Sequence, residues 1–218
     1  MTTLCLEMTF DFICPWSLFG KRNLESALRL LATQHPNLRI RLEWLGLQLL
    51  PQVAMEGEPF SNFKLHCKER FSLNGHASRN LALGLALGSI SNMPNTTYAH
   101  RVFQRAGYVG TDSQRDRLLE LLFLSHFQLG ENIGLPDTLV RLLRKCDFKP
   151  SDFDEALTEG ASHFIGRRVA LTDANVPMFL HDGRAFARGA QSLEQLQMNL
   201  QRIVMELPLR TYSIKHPS

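Results

Sequence analysis

Phe10-Asp11-Phe12-Ile13-Cys14-Pro15-Trp16-Ser17-Leu18-Phe19-Gly20-Lys21 closes one apolar pattern and opens another. Before it, Leu4 to Phe12 alternates as a strand does. After it, Leu18, Leu24, Leu28 and Leu31 recur at helical spacing. Pro15 falls where the first helical residue is needed, because its ring fixes φ and its missing N–H has no partner to lose there. The stretch therefore predicts a strand, a turn and a helix, with the sulfur of Cys14 at the helix N-terminus. Several free backbone N–H groups face that position, and the positive end of the helix dipole favours thiolate over thiol. Thiols so placed have pKa values of roughly 3.5–7.5 instead of about 8.5. A depressed, nucleophilic thiol is the expectation for Cys14, with Ser17 as a hydrogen-bond donor to it and Trp16 as cover over the sulfur.

Working outward, Leu38 to Leu47 alternates at period two and predicts a second strand. The helix between the strands has crossover length, which predicts a parallel, right-handed βαβ unit. Gln48 to Pro59 reads as a loop. From Phe60 to about Phe164 the strand pattern disappears. Phe60–Leu73, Ala77–Ile90, Thr97–Ala106, Ser113–Gln128 and Asp137–Lys145 read as helices, separated by Asn74-Gly75, Met93-Pro94-Asn95, Gly107 to Thr111 and Gly134-Leu135-Pro136. Ser151 to Gly160 reads as a short helix capped by Ser151, and a further helix runs from Ala161 to Ala174. Strands return at Val176–His181 and Arg184–Arg188, joined by Asp182-Gly183 as a type I′ hairpin turn. Ser192 caps a last helix, Leu193–Leu207, and Leu209–Ser218 reads as a tail. The fold class is α/β, with the order β-α-β, a helical block of about five helices, then α-β-β-α. That is a thioredoxin-like core, residues 1–59 and 161–218, carrying an inserted all-α domain, residues 60–160.

Length and charge narrow the function. The chain has 218 residues and a formal charge of +3, which makes no case for nucleic acid or an anionic membrane surface. No basic, apolar leader opens the sequence, and the longest apolar run, Leu81 to Leu87, is far shorter than the ~20 residues of a membrane span. A cytoplasmic location is the expectation. The cysteines, Cys5, Cys14, Cys67 and Cys146, show no C-x-x-C or zinc spacing. No metal site is expected, and Cys5, Cys67 and Cys146 read as small core residues. Phe123 and Phe127, four apart, read as core.

Two distant stretches make the candidate site. One is Cys14-Pro15-Trp16-Ser17. The other is Asn175-Val176-Pro177-Met178, where a proline opens a strand after a helix. In a thioredoxin-like core these loops face each other, and Pro177 is expected to be cis. The backbone of Val176 would then be free to pair with an extended substrate beside Cys14.

Asp11-Phe12-Ile13-Cys14-Pro15-Trp16, Gly20-Lys21, Val176-Pro177-Met178-Phe179 and Gly189-Ala190-Gln191 together resemble the DsbA-like thiol oxidoreductases of the FrnE type. Pro94-Asn95-Thr96 with Ala99-His100, Leu122-Phe123, Phe127 and Gly130-Glu131-Asn132-Ile133 carry the resemblance through the middle block. It implies a thioredoxin fold with a helical insertion, an active-site Cys14, a cis Pro177, and a substrate groove lined by Asn95 and His100. The family pattern is Cys-Pro-Trp-Cys, and here Ser17 stands where the second cysteine belongs. A dithiol enzyme resolves its mixed disulfide with that second sulfur; this chain needs an outside thiol. Kappa-class glutathione transferases and 2-hydroxychromene-2-carboxylate isomerases are similar at this point, with Ser-Pro-aromatic-Ser. They place Ser-Asp after the glycine matching Gly189, where this chain has Ala190-Gln191.

Three functions follow. The first is a monothiol oxidoreductase acting on a protein or small-molecule thiol or disulfide, with no covalently bound cofactor and with glutathione as candidate co-substrate. The second is a glutathione-dependent isomerase or transferase on a small aromatic or electrophilic compound. The third is a non-catalytic binder of peptides or ligands. The sequence leaves the oligomeric state open and admits a homodimer.

Overall fold

The structure, a computed structural model, describes residues 2–63, 90–158 and 176–207. Its centre is strand β1 (Thr2–Phe10), followed by helix α1 (Pro15–Gln34) and strand β2 (Leu38–Gly46). β1 and β2 pair in parallel, from Thr2 opposite Leu38 to Phe10 opposite Gly46. The chain returns to this sheet with β5 (Met178–His181) and β6 (Arg184–Arg188), and the strand order is β2-β1-β5-β6. β5 runs antiparallel to β1, and β6 antiparallel to β5. Their hairpin turns on Asp182 and Gly183, whose φ values of 48° and 75° are those of a type I′ turn. The closing helix, Leu193–Glu206, begins at a capping box in which Ser192 and Gln195 satisfy each other's backbone N–H groups. It lies beside α1, where Asn23 Nδ2 donates to Gln191 O at 2.8 Å.

Between β2 and β5 the described chain is largely helical. It contains α2 (Thr97–Val109), α3 (Asp112–Phe127), α4 (Pro136–Lys145) and the single turn α5 (Asp154–Leu157), so the closing helix is α6. Phe10 and Phe12, from the end of β1, meet Phe103 of α2 and Phe123 of α3 in one aromatic cluster, with ring centroids 5.1–6.2 Å apart. Each such contact contributes about 0.5–1.5 kcal/mol beyond burial, and the cluster welds the helices to the strand that carries the site. Phe123 and Phe127 are core residues, 1% and 2% exposed.

Several expectations need correction. Cys5 is exposed, not core. Leu4, Leu6 and Met8 form the buried face of β1, and the two-residue period puts Cys5 on the opposite face with Thr3 and Glu7. Glu58–Pro59 and Asn92–Met93 pair as the short antiparallel strands β3 and β4, where a loop and a break were expected. Phe60–Phe63 is a 3-10 turn. Ser151 caps nothing: Pro150–Phe153 is a 3-10 turn that precedes α5. The helices expected in 64–89 and 161–174, Cys67 and the tail Leu209–Ser218 lie outside the described residues. Among the described residues no helix is long and apolar enough to cross a membrane.

Candidate active site

β1 stops at Phe10 because Asp11 turns the backbone. The Asp11 carbonyl accepts the Cys14 N–H at 3.1 Å, closing a turn over the next three residues. Cys14 is extended (φ −94°, ψ 110°) and is the N-cap residue of α1, with Pro15 buried at the helix start. Its sulfur therefore sits at the helix mouth, as the sequence predicts. Its environment does not match the prediction. Cys14 is 1% exposed, and burial pushes its thiol up to about 11, although the Ser17 hydroxyl and the Ser17 and Trp16 amides act to lower it; the Asp11 charge adds to the rise. No amide makes a full capping bond to the sulfur. The helix mouth thus offers partial compensation, and loss of water outweighs it.

The sulfur points at the second loop. Cys14 Sγ donates to Val176 O at 3.5 Å across 162 residues of sequence. The Val176–Pro177 peptide bond is cis. Pro177 is buried, its carbonyl accepts the Gly189 N–H at 2.8 Å, and Met178 N donates to Thr9 Oγ1 at 2.9 Å. Both sides of this loop are thereby tied to the sheet. Gly20, one turn into α1, lets the helix approach it. A Cβ built there would lie 2.9 Å from the Phe179 ring and 3.0 Å from the Pro177 ring. The expected free carbonyl at Val176 is corrected: in this structure it is the acceptor for the thiol.

Ser17 is fully buried and its Oγ accepts the Asp11 N–H at 3.3 Å. Trp16 is half-buried and meets Phe19 edge-on at 6.4 Å. Asn95 and His100 do not line an open groove, and this too corrects the expectation. Asn95 is 3% exposed; its Nδ2 donates to Val53 O, and its Oδ1 accepts from Thr97 N at 2.9 Å and Gln48 Nε2 at 2.8 Å. It is the bracket that starts α2. His100 is 1% exposed, packs 4.8 Å from the Phe12 ring, and places Nε2 3.0 Å from Asp11 Oδ1.

Asp11 is what sequence reasoning missed. It is completely buried, yet both carboxylate oxygens are held, Oδ1 by His100 and Oδ2 by the Leu49 N–H at 2.6 Å. The signal was there: a carboxylate between two phenylalanines is rarely buried unless paired. His126 of α3, also buried, feels the same charge, and burial lowers it to about 4. Among the described residues no group of three or more His, Cys, Asp or Glu is placed to hold a metal ion.

Comparison with known proteins agrees with this architecture. The protein YwbO of Bacillus subtilis (strain 168) is 22% identical over 175 residues, 79% of this chain and 80% of that protein. The crystal structure of a probable DsbA oxidoreductase from Streptomyces coelicolor superposes with a TM-score of 0.72 at 20% identity, over 95% of this chain and 93% of that one. The cytosolic disulfide reductase DsbM from Pseudomonas aeruginosa, solved with GSH, gives 0.58 at 17% identity, over 93% and 98%. A 2-hydroxychromene-2-carboxylate isomerase gives 0.58 at 16% identity, over 93% and 97%. These likenesses show a shared thioredoxin-type fold. The DsbA-like thioredoxin domain matches residues 6–201, and the chain belongs to that family.

Proposed function

We propose that the protein is a thiol–disulfide oxidoreductase that works through one sulfur, Cys14, with an outside thiol such as glutathione resolving the adduct. The carrying observation is the Cys14 Sγ contact to the carbonyl before cis Pro177, at a helix start where Ser17 replaces a second cysteine. An extended substrate pairing with the Val176 backbone takes over that carbonyl and lays its disulfide against Sγ. The S–H bond of Cys14 then breaks and a sulfur–sulfur bond to the substrate forms. The departing substrate sulfur takes the electron pair and the proton. The outside thiol attacks the mixed disulfide, Cys14 recovers its proton, and the outside thiol leaves in a new mixed disulfide. Ser17 Oγ, held by the Asp11 N–H, would donate to the sulfur as charge develops. A reducing, cytoplasmic setting supplies that thiol. The test is reduction of a small disulfide with glutathione as reductant. Turnover by the native protein that falls to background in Cys14→Ser supports the assignment; equal turnover in Cys14→Ser refutes it.

One observation favours a second reading. A buried Cys14 held as a thiol suits a hydrogen-bond donor to another sulfur. The working sulfur would then be that of bound glutathione, in an isomerase or transferase acting on a small electrophile. Calorimetry with reduced glutathione separates the two, since absence of binding at millimolar concentration removes this reading.

A further inference from the structure

We infer that the buried Asp11–His100 pair is a positioning unit that holds the turn bearing Cys14 and Ser17, sets its charge beside the Cys14 sulfur, and so sets how reactive that sulfur is. The inference rests on Cys14 being the working sulfur. Among the described residues, four hydrogen bonds converge on Asp11. Its side chain is fixed from two directions, by His100 Nε2 of α2 at 3.0 Å and by the Leu49 N–H of the loop after β2 at 2.6 Å. With the side chain clamped, its backbone meets both ends of the reactive turn. The carbonyl accepts the Cys14 N–H at 3.1 Å, and the N–H donates to Ser17 Oγ at 3.3 Å. These two bonds fix where Cys14 and Ser17 stand on the turn, and the Ser17 side chain acts on Cys14 in the direction that favours thiolate.

The carboxylate works the other way. Asp11, Ser17, Cys14 and His100 are each no more than 1% exposed, so little water screens the Asp11 charge from the sulfur. Among the described residues, the titratable groups that face Asp11 are Cys14 at the start of α1, His100 of α2 and His126 of α3. Asp11 thus joins an orienting contact through its backbone to a restraining charge on its side chain. His100 ties both to the helical insertion, and movement of α2 would be felt at the sulfur.

The test is the pH profile of iodoacetamide alkylation in a chain whose other cysteines, Cys5, Cys67 and Cys146, are replaced by serine. Asp11→Asn keeps the size and the backbone but removes the charge. Its alkylation midpoint is expected to fall by roughly one pH unit from that of the parent, and an unchanged midpoint in the folded variant overturns the inference. Should Asp11→Asn fail to fold, the parent chain gives a separate answer. Capping Cys14 with methyl methanethiosulfonate is expected to shift the His100 ring nitrogen resonances, and unshifted resonances overturn the coupling. Alkylation needs no disulfide substrate. Loss of exchange activity with an intact alkylation shift counts against the proposed function alone; normal exchange activity with no shift counts against this inference alone.

Discussion

At Cys14 a helix mouth and a desolvated pocket act on one atom with opposite signs. The sequence shows the first, because Pro15 after Cys14 is visible in it. It does not show the second, because burial depends on what packs over the turn from Val176 and the aromatic cluster, far away in the chain. The same conflict appears at His126. Burial lowers its pKa to about 4 from an ordinary 6.5. The unfolded chain therefore takes up this proton as pH falls through 6.5, while the folded chain resists until about 4. Stability should be complete above pH 6.5 and should decline between those limits, by about 3 kcal/mol for this group. Urea denaturation across that range checks it: His126→Gln is expected to flatten the acid limb, and an undiminished limb would mean that other groups cause it.

Among the elements, α1 carries the largest share of the design. Its inner face must lie close to β5, and Gly20 permits this by leaving Phe179 and Pro177 room. Gly20→Val should cost about 2 kcal/mol through overpacking, seen as a lowered urea midpoint, and should displace the proline loop, seen as altered Cys14 reactivity. A variant as stable and reactive as the parent would show that the contact is not tight. The outer side of α1 is held by charge. Lys21, 4% exposed, reaches Glu25 at 2.8 Å and Glu120 of α3 at 2.7 Å. Burial alone would raise the Glu120 pKa, but Lys21 and Arg22 overcome it and hold the carboxyl below its usual value. What could be read in advance were the local signals: Pro15 opening α1, Asp182-Gly183 turning the hairpin, Ser192 starting α6. What could not be read were pairings without a local pattern. β3 and β4 are two residues each and join positions 33 and 35 apart in sequence, Pro59 with Asn92 and Glu58 with Met93, too short to show alternation. Only the resemblance puts Asn95 in a groove; its bonds to Gln48 and Val53 come from a segment that reads as featureless loop.

At the scale of the whole molecule, the helices are not a separate lid resting on the core. Asp11–His100, Lys21–Glu120 and the Phe10–Phe12–Phe103–Phe123 cluster join them to the strand and helix that bear Cys14. A scaffold so organised should accept the missing half of the dithiol. Ser17→Cys is predicted to form a disulfide with Cys14 under mild oxidation and to reduce disulfides without waiting for an outside thiol to resolve the adduct, as single-turnover kinetics would show. If the variant folds and gains nothing, the scaffold is one for binding rather than chemistry.

The most direct measurement is the intact mass of the folded chain, with Cys5, Cys67 and Cys146 replaced by serine, after exposure to glutathione disulfide and then to reduced glutathione. One glutathionyl group is expected on Cys14, and the second step is expected to remove it. A folded chain that stays unlabelled, while the same chain in denaturant is labelled readily, would contradict it.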